Sequence, residues 1–211
     1  ELQDMALSVV PGTRRYYSLD LQNKYVTYQR YRLFDDTRVA WLDLLPVLEA
    51  VGDDEHLAGI AVNLAGMRAR PSLIWELRQH LQQIRDSGKE VIIHGDRMGS
   101  STYYLATVAD RLTLDPHGML LLPGVAMSRS YLEGTLEKLG LGFQEMRYFK
   151  YKSAAETFSR SHMSDADREQ RQRMVDVIYD ELRDGITSGR TLGEARFDDM
   201  VAMVGAAQAG L

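Results

Sequence analysis

A chain of 211 residues with 45% hydrophobic side chains is long enough to bury a core of its own. Its 25 Lys and Arg against 30 Asp and Glu leave a net charge of -5, the wrong sign for a general nucleic-acid binder. The absence of Cys excludes disulfides, thiolate metal sites and cysteine nucleophiles, so serine, lysine and carboxylates are left to carry any chemistry.

Glu1-Leu2-Gln3-Asp4 lacks the basic and apolar regions of a signal peptide, there is no initiator Met, and the end at Ala209-Gly210-Leu211 is abrupt, so a piece of a longer protein is expected. Residues 1–42 read as an N-terminal Tyr-rich arm or hairpin. There Arg14, Arg15, Tyr16, Tyr17, Lys24, Tyr25, Tyr28, Arg30, Tyr31 and Arg32 interleave basic and aromatic groups, a pattern that can stack nucleic-acid bases but in an acidic protein better suits a β-hairpin or assembly arm.

From Gly59 onward short apolar runs alternate with amphipathic stretches. Residues 59–65 are predicted as a buried strand closed by Gly66. Pro71 suits a first helical turn, and Leu73, Ile74, Leu77, Leu81 and Ile84 share one helical face before Gly88. A second strand over 90–94, a loop over 95–99, a short buried helix over 103–109 and a third strand over 111–115, stopped by Pro116, complete an α/β pattern with parallel strands. The most apolar stretch, 118–127, is broken by Pro123 and Gly124, far short of the ~18 unbroken residues of a membrane span. A helix over 131–139 closed by Gly140 and a strand over 142–149 follow. A long charged helix then starts at Ser164, a cap with Asp165 and Asp167 in the first turn, and carries the apolar stripe Met174, Val177, Ile178, Leu182 and Ile186.

There is no Gly-rich phosphate loop, and His56, His80, His94, His117 and His162 are scattered without the spacing of a zinc motif, so neither cofactor nor metal is expected. His94 lies six residues before Ser100, but a strand-end histidine is more often simply hydrogen-bonded there than part of a triad. The informative segment runs from Tyr148 to Phe158. A lysine base must lose its proton near neutral pH, which requires burial or neighbouring positive charge to bring a pKa of ~10.4 down. Ser153 and Glu156 have capping-box spacing, which would set Lys152 just outside a helix N-terminus. Lys150 would share its face, and Tyr151, Ala154 and Phe158 could desolvate the site, while the charge of Glu156 opposes. An ordinary surface lysine is the alternative.

Lys150-Tyr151-Lys152-Ser153-Ala154-Ala155-Glu156, followed by Met163-Ser164 and the charged helix, resembles the lysine segment of the signal peptide peptidase A family, also called protease IV. Gly95-Asp96 with Tyr103-Tyr104-Leu105-Ala106 and Ala109-Asp110, and Ser87-Gly88-Lys89, agree with it in order and spacing, so that the similarity covers about residues 43–211. The resemblance implies that 43–211 is an α/β peptidase domain, a ClpP/crotonase-like superhelix of repeated strand-helix units continuing into a second half. It implies peptide-bond hydrolysis by a Ser-Lys dyad, with Lys152 as general base.

The family's Ala-Ser-Gly-Gly nucleophile pattern falls on Gly99-Ser100-Ser101-Thr102. Ser100 is thus a candidate nucleophile, but both following glycines are missing, and Gly66-Met67-Arg68 replaces the Gly-Gly that follows the first strand in catalytic copies. Those glycines aim N–H groups at the oxyanion; without them Ser100 or Ser101 reads as a helix cap. In the long members one half supplies lysine and the other serine, and this sequence resembles the lysine half, which puts the nucleophile outside the chain. The resemblance further implies peptide substrates such as signal-peptide remnants, a homo-oligomer, and attachment to the extracytoplasmic (periplasmic) side of a membrane through a segment outside this chain. A non-catalytic scaffold or peptide-binding module of the same fold is the alternative. Acyl-CoA chemistry on a crotonase fold has no sequence feature of its own.

Overall fold

The computed structural model describes residues 14–29 and 36–209. Contacts divide the chain into two units, Glu1–Leu122 with Gly185–Gly193, and Pro123–Asp184 with Glu194–Leu211. The first contains β1 (Tyr16–Asp20), β2 (Tyr25–Thr27), β3 (Arg38–Ala40), α1 (Trp41–Asp53), β4 (Gly59–Asn63), β5 (Arg68–Ala69), α2 (Pro71–Asp86), β6 (Glu90–Met98), α3 (Ser100–Ala106) and β7 (Arg111–Leu120). One parallel sheet has the order β1-β4-β6-β7, with α2 and α3 as the crossovers that parallel neighbours require. This is the mixed α/β architecture with parallel strands expected from the alternation.

Ile60 pairs with Val91 and Val62 with Ile93, all four buried. Over them α2 lays Leu73, Ile74, Leu77, Leu81 and Ile84, the face its spacing predicts, and Gly88 at φ +89 terminates it in the left-handed conformation. Gly59 lies so close to the next strand that a Cβ would stand 2.0 Å from the Glu90 carbonyl oxygen, which reserves that position for glycine.

Two expectations for this unit are corrected. The Tyr-rich segment is not a hairpin: β1 adds parallel to β4, and β2 pairs with β3 and β5 in a second parallel sheet. Leu19, Leu21 and Val26 need apolar cover that an isolated two-stranded ribbon cannot provide, and these sheets provide it. Arg30, Tyr31 and Arg32 lie outside the described residues. Nor does the third strand stop at Pro116. Gly95 pairs with Leu114 but Arg97 with Met119, so residues 115–118 bulge out opposite Asp96 alone. Pro116, which has no N–H to donate, sits in the bulge where the ladder asks for none, and the His117 N–H closes it on Asp115 Oδ1 at 2.8 Å.

The second unit contains α4 (Glu133–Lys138), α5 (Glu156–Ser159), α6 (Asp165–Arg190), whose residues from Gly185 onward count with the first unit, and α7 (Glu194–Ala209). As expected, Gly140 at φ +71 follows α4. Ser164 caps α6, its Oγ accepting from the Asp167 N–H at 3.2 Å. Tyr179 packs on Phe197 and donates to Asp198 at 2.6 Å; burial first and this bond second push its phenol up to about 12. The strand expected over 142–149 is not formed. The second unit has no strand among its described residues to pair with it, and Met146 and Tyr148 are 86% exposed. Of the predicted α6 stripe, Ile186 is buried while Met174, Val177 and Ile178 face solvent. No described helix is long and apolar enough to cross a membrane.

Candidate active site

The segment around Lys152 has almost no regular structure, so its shape must come from side chains. The capping box is not made: α5 begins only at Glu156, behind Ala155 as N-cap. Ser153 Oγ instead donates to Asp167 Oδ1 at 2.7 Å, and the fully buried Glu156 carboxylate accepts from Arg147 Nη1 and from Ser164 Oγ at 2.6 Å. Tertiary ion pairing outcompetes the local box because Glu156, once buried, needs a cation. Burial works against ionising Glu156, but the bonds from Ser164 and Arg147 outweigh it and hold the carboxyl below its ordinary value.

A second buried carboxylate lies beside it. Asp167 Oδ2 accepts from Arg129 Nη1 at 3.0 Å and Arg171 Nε at 2.9 Å. Burial raises its pKa, yet the bonds from Ser153, Arg171 and Arg129 bring it down to about 2. Arg129 also donates from Nη2 to the carbonyls of Ser153 at 2.7 Å and Ala154 at 2.8 Å. Arg147 donates to the carbonyls of Phe149, at 3.2 Å, and Lys150. The Tyr151 carbonyl accepts from Gln170 Nε2 at 3.1 Å.

The two lysines are sharply different. Lys150 Nζ reaches Tyr151 Oη at 3.1 Å and Glu169 Oε2 at 3.2 Å, contacts that raise its pKa in that order. Lys152 is exposed, its Nζ lies 5.4 Å from the Phe149 ring centroid, and among the described residues it has no carboxylate partner. An amine outside any ion pair can serve as a base once covered; one tied to a carboxylate is committed to its charge.

Ser100 lies in the first unit and Lys152 in the second. Ser100 is the first residue of α3 and half-buried; the N-cap is Gly99 and no side chain caps the helix, so the capping role expected for Ser100 or Ser101 is not taken. His94 is held by Thr113 Oγ1 at 3.1 Å, the plain hydrogen bond expected of a strand-end histidine. After β4, Gly66 at φ +65 donates its N–H to Asp96 Oδ1 at 3.1 Å, an oxygen that also accepts from the Arg97 N–H. That bond from Arg97 is the main cause holding the Asp96 carboxyl below its ordinary value. A carboxylate therefore already occupies the Gly66 donor. Below α3, buried Arg78 stacks on the Tyr104 ring at 4.5 Å and donates to Thr107 Oγ1 and the Gly185 carbonyl, fixing the tyrosine motif; burial pulls its guanidinium below the ordinary value.

Sequence reasoning singled out Lys152 as a candidate base but not Arg129 or Arg147 beside it, and read Asp167 only as a charge near a helix dipole. The available signal was an arginine inside the apolar stretch Val125-Ala126-Met127-Ser128-Arg129, which demands a buried partner.

The model of peptidase family S49 matches residues 83–203. Over 152 residues the chain is 30% identical to Protease 4 of Salmonella typhi, covering 71% of this chain and 24% of that protein. It is 29% identical over 134 residues to the chloroplastic Serine protease SPPA of Arabidopsis thaliana, covering 64% and 20%. With Protease 4 of Haemophilus influenzae it shares 25% identity over 161 residues, covering 75% and 26%. The chain thus spans a fifth to a quarter of the length of these relatives.

Proposed function

The chain belongs to peptidase family S49, and from that premise we propose that it is the lysine-bearing half of a serine peptidase in which Lys152 is the general base of a Ser-Lys dyad. The observation that carries this reading is the contrast between the two lysines: Lys150 is tied to Glu169, whereas Lys152 stands outside any ion pair among the described residues, on a loop pinned by two half-buried arginines. The nucleophile is supplied by a second half of the same fold. Ser100 is a poorer candidate because Ser101 and Thr102 replace glycines and the Gly66 N–H is taken by Asp96. Lysine removes the proton of that serine, whose oxygen attacks the peptide carbonyl; the amine leaves with a proton from the lysine, and water then releases the acyl group.

The parallel sheet with its crossover helices supports the proposal of a ClpP/crotonase-like superhelix, and on the ground of family membership we also propose peptide substrates, a homo-oligomeric state and extracytoplasmic membrane association for this protein. The altered glycines also favour a second reading, a non-catalytic scaffold that keeps the fold for assembly. A serine-directed phosphonate separates the two. Applied to the whole peptidase, it should label a serine outside residues 1–211, and Lys152→Ala should abolish labelling with the circular dichroism spectrum unchanged. No labelled serine anywhere would leave the scaffold, and label on Ser100 would move the nucleophile into this chain.

A further inference from the structure

We infer that Arg129 and Arg147 are positioning residues for Lys152, two largely buried guanidiniums that hold the main chain on both sides of the lysine and leave its side chain as the free part of the loop. The inference rests on the reading of Lys152 as the base.

Exposed loops ordinarily satisfy their carbonyls with water. Here the carbonyls of Phe149, Lys150, Tyr151, Ser153 and Ala154 all accept from side chains: the first two from Arg147, the third from Gln170 and the last two from Arg129. Within 149–154 only the carbonyl of Lys152 itself lacks such a donor among these bonds. Each guanidinium is fixed in turn by a carboxylate hidden from solvent, Arg129 by Asp167 and Arg147 by Glu156, with side-chain exposures of 10% and 3% in the first pair. Removing such pairs from water brings little net stability, so two of them converging on one irregular loop point to a role in placement. A planar fork can bond two successive carbonyls and a carboxylate together, which an ammonium cannot. A base must be held within about 0.5 Å of its working position, and this loop has no ladder of its own to do it.

The test uses the whole peptidase that contains this chain, with Arg129→Met, Arg147→Met and the two Arg→Lys variants. The Met variants should lose about a hundredfold in kcat with KM changed less than about twofold, the scale of a small misplacement of a reacting group. Hydrogen exchange over residues 149–157 should quicken while α6 keeps its protection, and the Lys variants should restore the ion pair but little of the kcat. Tyr179→Phe, which removes the bond to Asp198 in the same unit, serves as the stability control and should keep kcat. Unchanged exchange over 149–157, or an equal loss of kcat in Tyr179→Phe, would overturn the inference. If a Met variant fails to fold, exchange in the corresponding Lys variant decides. Lys152→Ala tells the two claims apart: full activity in that variant would sink the base assignment, whereas the exchange measurement judges the clamp by itself.

Discussion

Lys150 and Lys152 are two positions apart and share almost no contacts, which makes them a natural pair for comparison. Lys152→Ala should abolish turnover of the whole peptidase and Lys150→Ala only weaken it, as steady-state kinetics would reveal; equal, mild losses would refute the assignment. Lys152→Arg should fail as badly as alanine, because a guanidinium stays protonated and cannot accept a proton. Asp167 gives a second test. Its folded carboxyl titrates at about 2, below the ordinary 3.8, so the stability it contributes is present above pH 3.8 and is lost as pH falls toward 2. That contribution is on the order of 2 kcal/mol. Urea titrations at stepped pH should show it in the wild-type chain and not in Asp167→Asn. Lys152 stands out as a candidate in the sequence because its neighbours are contiguous; Arg129 does not, since it meets Ser153 across 24 positions and nothing local marks that contact.

Elements that carry their own periodicity were the readable ones. The face of α2 could be named residue by residue, and its burial makes Leu77→Ala cost about 2–5 kcal/mol in a urea melt. Met174→Ala, on the exposed part of α6, should stay within about 0.5 kcal/mol; a large loss there would mean that this face is covered in solution. Elements that depend on a distant partner were misread. β1 and β2 alternate like a hairpin, yet their partners are β4 on one side and β3 and β5 on the other. Residues 142–149 have a strand's composition and no strand beside them. α1 had no counterpart in the sequence reading, because Pro46 inside it interrupts the pattern that would announce a helix.

At the scale of the whole molecule, large apolar side chains stand exposed along the chain that leads to Lys152: Leu139, Leu141, Met146, Tyr148 and Phe149. Exposed apolar surface of this kind marks interfaces. If the proposed second half and neighbouring subunits exist, protection from hydrogen exchange over 142–158 should rise in their presence; unchanged protection would place the interface elsewhere. The bulge opposite Asp96 acts at the same scale. Among the described residues β7 is the last strand of its sheet, and an open edge invites the edge of another molecule to pair with it. By throwing residues 115–118 out of line, Pro116 and its neighbours leave no long straight ladder for a stranger to extend. The kink is thus a guard against aggregation, and Pro116→Val should raise light scattering of a concentrated, warmed sample well before it lowers the melting temperature.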